Sequence, residues 1–364
     1  MNTLPGYTLR QLCLYFLKLG TIGFGGPVAL VGYMHQDLVE RRKWMTEEEY
    51  KEGLALAQLA PGPLAAQLSI YLGFVHYRYR GAALVGTAFV LPSFLMVVLL
   101  GMAYKLFGGM PWMRAVFYGV GAAVTGIIAI SCYKLTIKSI SKLNPAQIKQ
   151  RWMLWVAYLT GLVVTVITRS EPLWWLIGAG LVYMFVKAPP AWLRTTGSSV
   201  PSLFLLGIGF WDATPGILEK IGWFFFKAGA FVFGSGLAIV PFLHGGVVDD
   251  YHWLNEEAFL DAVAVAMITP GPVVITVGFI GYLVAGFPGA IVAALATFLP
   301  CYLFTVIPAP HFKRIAGNAS IRAFVDGITA AVIGSLTGAV VIIALRSVYD
   351  WPTGLLAVAS CLAL

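Results

Sequence analysis

Gln58-Leu59-Ala60-Pro61-Gly62-Pro63-Leu64-Ala65-Ala66-Gln67 and Met267-Ile268-Thr269-Pro270-Gly271-Pro272-Val273-Val274-Ile275-Thr276 decide the reading of this chain. Each is an apolar run broken in its middle by Pro-Gly-Pro, and the second copy lies 209 positions after the first. The agreement spreads outward from them. Residues 15–63 realign on 224–272 at that one offset, pairing Lys18 with Lys227, Gly20 with Gly229, Phe24 with Phe233, His35 with His244, Trp44 with Trp253 and Glu47 with Glu256. After one deletion the offset becomes 208 and pairs Gly73 with Gly281, Gly81 with Gly289, Pro92 with Pro300 and Arg114 with Arg322. Biased composition alone does not hold Trp, His, Lys and Pro in one register, so the chain is an internal duplication.

The two copies sit in an apolar chain. Of 364 residues, 59% are hydrophobic and 11% charged, against about half and a quarter in ordinary soluble domains. Apolar runs near the roughly 20 residues that cross a bilayer occupy about 11–33, 81–107, 112–133, 152–168, 172–187, 221–243, 288–308 and 323–345. The runs at 51–75 and 258–284 are the interrupted ones, and a last run from Pro352 to Leu364 reads as an incomplete helix. The opening residues show no cleavable signal pattern. The net charge of +8 lies in short loops between apolar runs. It therefore reads as retention on the cytoplasmic side and not as nucleic-acid binding. Cys13, Cys132, Cys301 and Cys361 lie in apolar segments and read as free buried thiols. No metal-ligand spacing is present and no cofactor is called for.

Charge separates the copies. Glu40-Arg41-Arg42-Lys43 precedes Trp44, whereas Asp249-Asp250-Tyr251-His252 precedes Trp253. One loop is basic where its twin is acidic, and basic loops stay inside. The expectation is an all-α polytopic membrane protein of two inverted-topology repeats. If 51–75 crossed once, the loop 134–151, with Lys134, Lys138, Lys142, Lys149 and Arg151, would face outside. If 51–75 enters and leaves on one side as a re-entrant hairpin, 35–52, 76–80, 134–151, 188–220 and 309–322 all lie inside. Each repeat is thus expected to carry a Pro-Gly-Pro broken helix hairpin, the two meeting near mid-membrane. The division is 1–188 as N-terminal repeat with two extra spans, 189–220 as connecting segment and 221–364 as C-terminal repeat.

Four breaks interrupt apolar segments: Gly25-Gly26-Pro27, Pro61-Gly62-Pro63, Gly234-Ser235-Gly236 and Pro270-Gly271-Pro272. In hydrocarbon, irregular backbone survives only where protein or water surrounds it. Proline suits the first helical position, so Pro27, Pro63 and Pro272 read as half-helix starts, with the amides of Val28–Leu30, Leu64–Ala66 and Val273–Ile275 facing the breaks. Helix N-termini carry partial positive charge and unpaired donors. Several converging ones make an oxyanion site, and Gly62 and Gly271 leave room for a ligand to approach backbone. Gln58, Leu64, Gln67, Ser235, Thr269 and Thr276 flank that site, with helix capping as the competing role. Lys18 and Lys227 lie just before the Phe-Gly breaks and read as partners of a divalent anion, or as snorkelling side chains. Glu52 and Asp261 are matched and deep, and with His35 and His244 they are the candidates for proton coupling. Thr46-Glu47-Glu48-Glu49 and Asn255-Glu256-Glu257 read as helix N-caps, and Trp44 and Trp253 as interface anchors.

Phe24-Gly25-Gly26-Pro27, Arg41-Arg42-Lys43-Trp44, Pro61-Gly62-Pro63, Gly73 and the 81–92 segment ending in Leu91-Pro92 resemble the chromate ion transporter family. Phe233-Gly234-Ser235-Gly236, Trp253, Pro270-Gly271-Pro272, Gly281-Tyr282 and Leu299-Pro300 are similar to that family's C-terminal repeat. The resemblance covers nearly the whole chain, the long two-domain type. It implies chromate export across the cytoplasmic (inner) membrane, with sulfate as the chemical look-alike. The inverted repeats imply secondary active transport by alternating access. Another oxyanion as native cargo, a passive anion channel and a homodimeric assembly stay open. No nucleophile–base set or ATP-binding lysine motif is visible, so neither an enzyme nor direct ATP drive is expected.

Overall fold

The computed structural model describes residues 6–24, 26–107, 123, 126–130, 132–137, 139–140, 145–168, 173–190, 216–231, 239–312, 318–347 and 350–362, and among these every regular element is helical. In chain order the helices are α1 (Leu9–Ile22), α2 (Gly26–Met34), α3 (Glu47–Leu59), α4 (Leu64–Phe107), α5 (Pro145–Gln150), α6 (Trp152–Thr168), α7 (Leu173–Lys187), α8 (Ile217–Ala230), α9 (Ile239–His244), α10 (Glu256–Ile268), α11 (Thr276–Val306), α12 (Ala319–Ser347) and α13 (Trp351–Leu362). Segments Leu64–Phe107, Val273–His311 and Ala319–Ile342 are long and apolar enough to cross a membrane. Large apolar side chains such as Leu99, Ile167, Trp174 and Leu345 stand exposed, a surface that hydrocarbon covers and water would not.

The duplication is written into the backbone. α2 runs into a π-helical turn at His35–Arg41 and α9 into one at Gly245–Asp250. Each closes with the same bonds: Arg42 N donates to Asp37 O and Trp44 N to Leu38 O, while Tyr251 N donates to Gly246 O and Trp253 N to Val247 O. The left-handed residues repeat too. Lys43 (φ 52°) matches His252 (φ 50°), Gly62 (φ 145°) matches Gly271 (φ 101°), and Arg78 (φ 52°) matches Gly286 (φ 65°). The capping predictions hold. The Thr46 hydroxyl accepts from Glu49 N, the Glu49 carboxylate accepts from Thr46 N, and Asn255 Oδ1 accepts from Ala258 N. These bonds satisfy donors the helix starts leave open.

Arg78 and Gly286 turn α4 and α11 back on themselves. The turns are tight because glycines let backbones touch: a Cβ on Gly73 would meet the Gly81 carbonyl, and one on Gly281 would meet that of Gly289. The sequence assigns 76–80 to a loop. The chain uses one left-handed residue there and resumes helix at once. At that position (φ 52°, ψ −144°) arginine bears a strain of about 1–3 kcal/mol that glycine avoids. Arg78→Gly is therefore expected to hold or slightly raise the unfolding midpoint in detergent, and Gly286→Ala to lower it.

The two halves complete each other's interiors. The cluster centred on Phe224, Phe225, Phe259 and Phe279 takes in Val97 from the outgoing limb of α4, with Val90 and Phe94 packed against it. The cluster centred on Phe16, Leu56, Leu68 and Phe89 takes in Cys301 and Val306 from the outgoing limb of α11. α1 lies on α4 with Gly20 against the Phe89 carbonyl, and α8 lies on α11 with Gly229 against that of Thr297. α6 and α7 pack on α12.

Three boundaries differ from the sequence reading. α8 begins at Ile217, inside the segment assigned to the 189–220 connection, because Gly216 supplies the start and Glu219 suits its first turn. Part of the 134–151 loop is helical, at Pro145–Gln150, where proline opens a run of good helix formers. Pro63 and Pro272 precede the first helical residue. The Pro63 carbonyl accepts the first bond, from Gln67 N, and Pro272 is extended at ψ 122°, which is the cap position.

Candidate functional site

The two interrupted runs become pairs of short helices. α3 and α10 have 13 residues each, about 20 Å at 1.5 Å per residue. That is two-thirds of a hydrocarbon core of about 30 Å. α3 packs on the incoming limb of α4, where Gly53 lies against the Tyr71 ring. At the first turn Pro61 is half-buried, and Gly62, Pro63, Leu64 and Gln67 are buried; at the second, Pro270, Gly271, Pro272 and Thr276 are buried. Gly25, Gly234, Ser235 and Gly236 lie outside the described residues. Gly26 opens α2, and Pro27 is its second residue.

The structure brings the first half's Gly20–Gly23 segment onto the second half's Pro-Gly-Pro turn. Gly271 N donates to Gly23 O at 3.0 Å. Ser93 Oγ, fully buried on α4, lies 2.7 Å from Pro270 O and 3.4 Å from Gly20 O. Ser93 thus ties three backbone segments together. It was not among the residues singled out from the sequence, where a single hydroxyl in an apolar run reads as filler. The available signal was its position: it follows Pro92 and matches Cys301, which follows Pro300. A Cβ on Gly271 would collide with Ser93 Oγ.

The flanking hydroxyls mostly serve their own helices. Thr269 Oγ1 donates to Val265 O at 2.6 Å and Thr276 Oγ1 to Val273 O at 2.7 Å, the local bonding expected of helical threonine. Gln67 Nε2 donates to Pro61 O at 2.8 Å, which folds the side chain under Gly62. Its Oε1 is buried without a protein partner, an open acceptor on the floor of the first turn.

Around these turns the ionisable candidates divide by half. Asp261 is 8% exposed, and the Tyr104 hydroxyl from the first half donates to its Oδ2 at 2.7 Å. Its match Glu52 is half-buried and accepts from Tyr71 of its own half at 3.3 Å. His35 lies 2.9 Å from Glu47 and 3.3 Å from Glu40. His244 lies 2.9 Å from Glu256 and 3.4 Å from Asp249. The two sets are matched residue for residue, yet the His244 side chain is 4% exposed and that of His35 is 31%. The bond from His35, with help from Lys51, holds the Glu47 carboxyl below its ordinary value. Lys18 stands exposed on α1. Lys227 is partly exposed, its Nζ 5.8 Å from the Trp223 ring centroid. Trp44 stacks on Tyr7 and Trp253 on Tyr251, each against its own core cluster.

Comparison with known proteins follows the same division. The family described as Chromate transporter matches residues 10–184 and 219–364, one stretch in each half. The chain is 64% identical over 361 residues to the chromate transport protein of Cupriavidus metallidurans, covering 98% of this chain and 88% of that one. It is 59% identical over 356 residues to a probable chromate transport protein of Synechococcus elongatus, covering 97% and 88%. It is 29% identical over 356 residues to the chromate transport protein of Pseudomonas aeruginosa, covering 93% and 81%. No solved structure matches the chain. With apolar membrane-length helices and a family match across both halves, this is a membrane protein that belongs to the chromate transporter family.

Proposed function

We propose that the chain is a secondary active transporter that exports chromate across the cytoplasmic membrane by alternating access, with the anion held at the paired Pro-Gly-Pro turns. The observation that carries this reading is the junction of the Gly20–Gly23 segment, Ser93 and the Pro270–Gly271 turn. It joins the two halves through backbone donors and acceptors and not through side-chain packing alone. In this conformation the Gly271 amide is engaged by Gly23, and of the amides expected from the sequence to be bare, that of Ile275 donates to Pro272 O. Separation of the halves frees the Gly271 N–H and the Ser93 O–H. A tetrahedral dianion then competes for them with the protein's own carbonyls, and charge-assisted bonds to an oxyanion are about twice as strong as neutral ones.

The names carried by the relatives favour chromate as cargo. Sulfate has the same shape and charge and is the expected competitor. In proteoliposomes, radiolabelled chromate should enter saturably, accumulate against its gradient when an ion gradient is imposed, and be inhibited by sulfate. Absence of chromate flux sinks the cargo assignment, and flux without accumulation makes the protein a channel.

Inverted halves and re-entrant hairpins form part of the same proposal. The short α3 and α10, and the opposite charges of the matched loops before Trp44 and Trp253, support them. In a background lacking the four native cysteines, Glu40→Cys and Asp249→Cys occupy matched positions. Impermeant thiol reagents should label them from opposite sides of the membrane. Labelling from the same side contradicts inversion.

A further inference from the structure

A concave polar site is lined by none of the residues of the Pro-Gly-Pro turns. A cavity of about 470 Å³ opens where the junction of α5 and α6, the end of α7 and the start of α12 come together, and its polar lining is Gln150, Arg151, Tyr183, Lys187, Arg322 and Asp326. Three cations and one acid leave the wall at 3 − 1 = +2. Its frame is close-packed. A Cβ on Gly327 would lie 2.7 Å from Tyr183 Cβ, and one on Gly161 would meet the Ala331 carbonyl, so α12 is pressed against both α7 and α6. Arg151 Nη1 donates to Ile140 O at 2.8 Å, which orients the guanidinium, and the Asp326 carboxylate of the same wall feels both Arg151 and Arg322.

Three features point to one kind of guest. The cations border three segments distant in sequence: Arg151 and Arg322 end 134–151 and 309–322, and Lys187 directly precedes 188–220, segments that the charge rule assigns to one membrane face. Each is followed or preceded by an exposed apolar residue: Trp152 beside Arg151, Val186 beside Lys187 and Ile321 beside Arg322. The tyrosine and glutamine of the wall add neutral donors of the kind that phosphate oxygens accept.

We propose that this cavity binds a phosphate-type oxyanion group, presented by an anionic phospholipid of the cytoplasmic leaflet or arriving as the free ion. The arrangement joins a basic hollow to an apolar rim, so a headgroup enters the hollow while its chains lie along the outer faces of α6 and α7. The negative surface of that leaflet concentrates such headgroups where basic clusters sit. The site draws on the membrane placement of the chain but does not depend on the paired turns holding cargo.

The test uses the full chain purified in detergent, with thermal unfolding and native mass spectrometry as readouts. Dioleoyl phosphatidylglycerol is expected to bind with a preference of at least about tenfold over dioleoyl phosphatidylcholine, as several basic residues near a membrane surface supply. The triple variant Arg151→Gln/Lys187→Gln/Arg322→Gln is expected to lose that preference. If the triple variant does not fold, the single exposed-site variant Lys187→Gln is expected to reduce it. Inorganic phosphate at millimolar concentration forms the second arm. If it alone reproduces the shift, the free ion is the source; if only phosphatidylglycerol does, the lipid is. Gly271→Val, which should stop transport, is expected to keep lipid binding intact, so failure of the cargo site and failure of this one read separately. Equal binding of both lipids with no phosphate effect, or an unchanged preference in the triple variant, overturns the proposal.

Discussion

Gly271→Val is expected to reduce chromate transport at least about 30-fold while the protein still inserts at normal abundance. Two costs add. Gly271 has φ 101°, a conformation that costs a residue with a Cβ about 1–2 kcal/mol. The new Cβ also lands on Ser93 Oγ, in a fully buried setting where overpacking costs about 1–3 kcal/mol. The sum of about 2–5 kcal/mol falls on a junction that ties the two halves together. Transport in proteoliposomes, beside a membrane-fraction immunoblot, measures the effect. The matched change at Gly62 is expected to be milder. The nearest atom there is Gln67 Nε2 at 2.6 Å, the far end of a side chain that can swing away. Ser93→Ala in the background of Gly271→Ala removes the obstructing oxygen and should recover the unfolding midpoint lost in Gly271→Ala, but not transport, since the anion loses the Ser93 donor. No recovery of the midpoint, together with wild-type transport in Gly271→Val, rules out this turn as the working junction.

Asp261→Asn is expected to abolish transport driven by a pH gradient while leaving chromate counterflow measurable. The carboxylate is shielded from solvent, and its bond to Tyr104 crosses from one half to the other. In the proposed alternating access, moving the halves apart would break that bond and leave a buried charge without a donor, a costly state that taking up a proton would relieve. Asparagine cannot carry the proton, so the coupled step fails first. Tyr104→Phe removes only the donor and should weaken coupling less than Asp261→Asn. Glu52→Gln should have the smallest effect, because Glu52 is half-buried and its tyrosine belongs to its own half. Equal loss of counterflow and pH-driven uptake in Asp261→Asn makes the residue structural and removes it from the coupling scheme.

Much of the site can be read before any coordinates. Pro-Gly-Pro announces a turn wherever it occurs, and its recurrence in register marks both left-handed glycines. Thr46 and Asn255 announce helix starts by local chemistry, and both cap as expected. Gly286 is a readable turn, whereas Arg78 hides the matching turn because an arginine there runs against its own preference. The π-helical turns after Met34 and His244 carry no composition signal at all. What stays illegible is mostly non-local. Ser93 reaches Pro270 across 177 positions, and Tyr104 reaches Asp261 across 157. No periodicity encodes such pairs. The same holds for Arg151, Lys187 and Arg322: their charges are plain in the sequence, but their meeting around one hollow depends on α6, α7 and α12 packing together. Lys18 is exposed on α1, and both an anion partner and a snorkelling side chain are exposed, so matched placement in the two halves does not by itself choose between the roles.

The exchange of outgoing limbs has a consequence for biosynthesis. A ribosome that has released only the first half has delivered a helix whose Val97 face awaits a pocket that does not yet exist, and a pocket still waiting for Cys301 and Val306. Maturation must therefore be late and concerted, with the nascent first half held in a provisional arrangement until the second arrives. Severing the gene within the connecting stretch should give two polypeptides that are each short-lived alone and that rescue one another when made together.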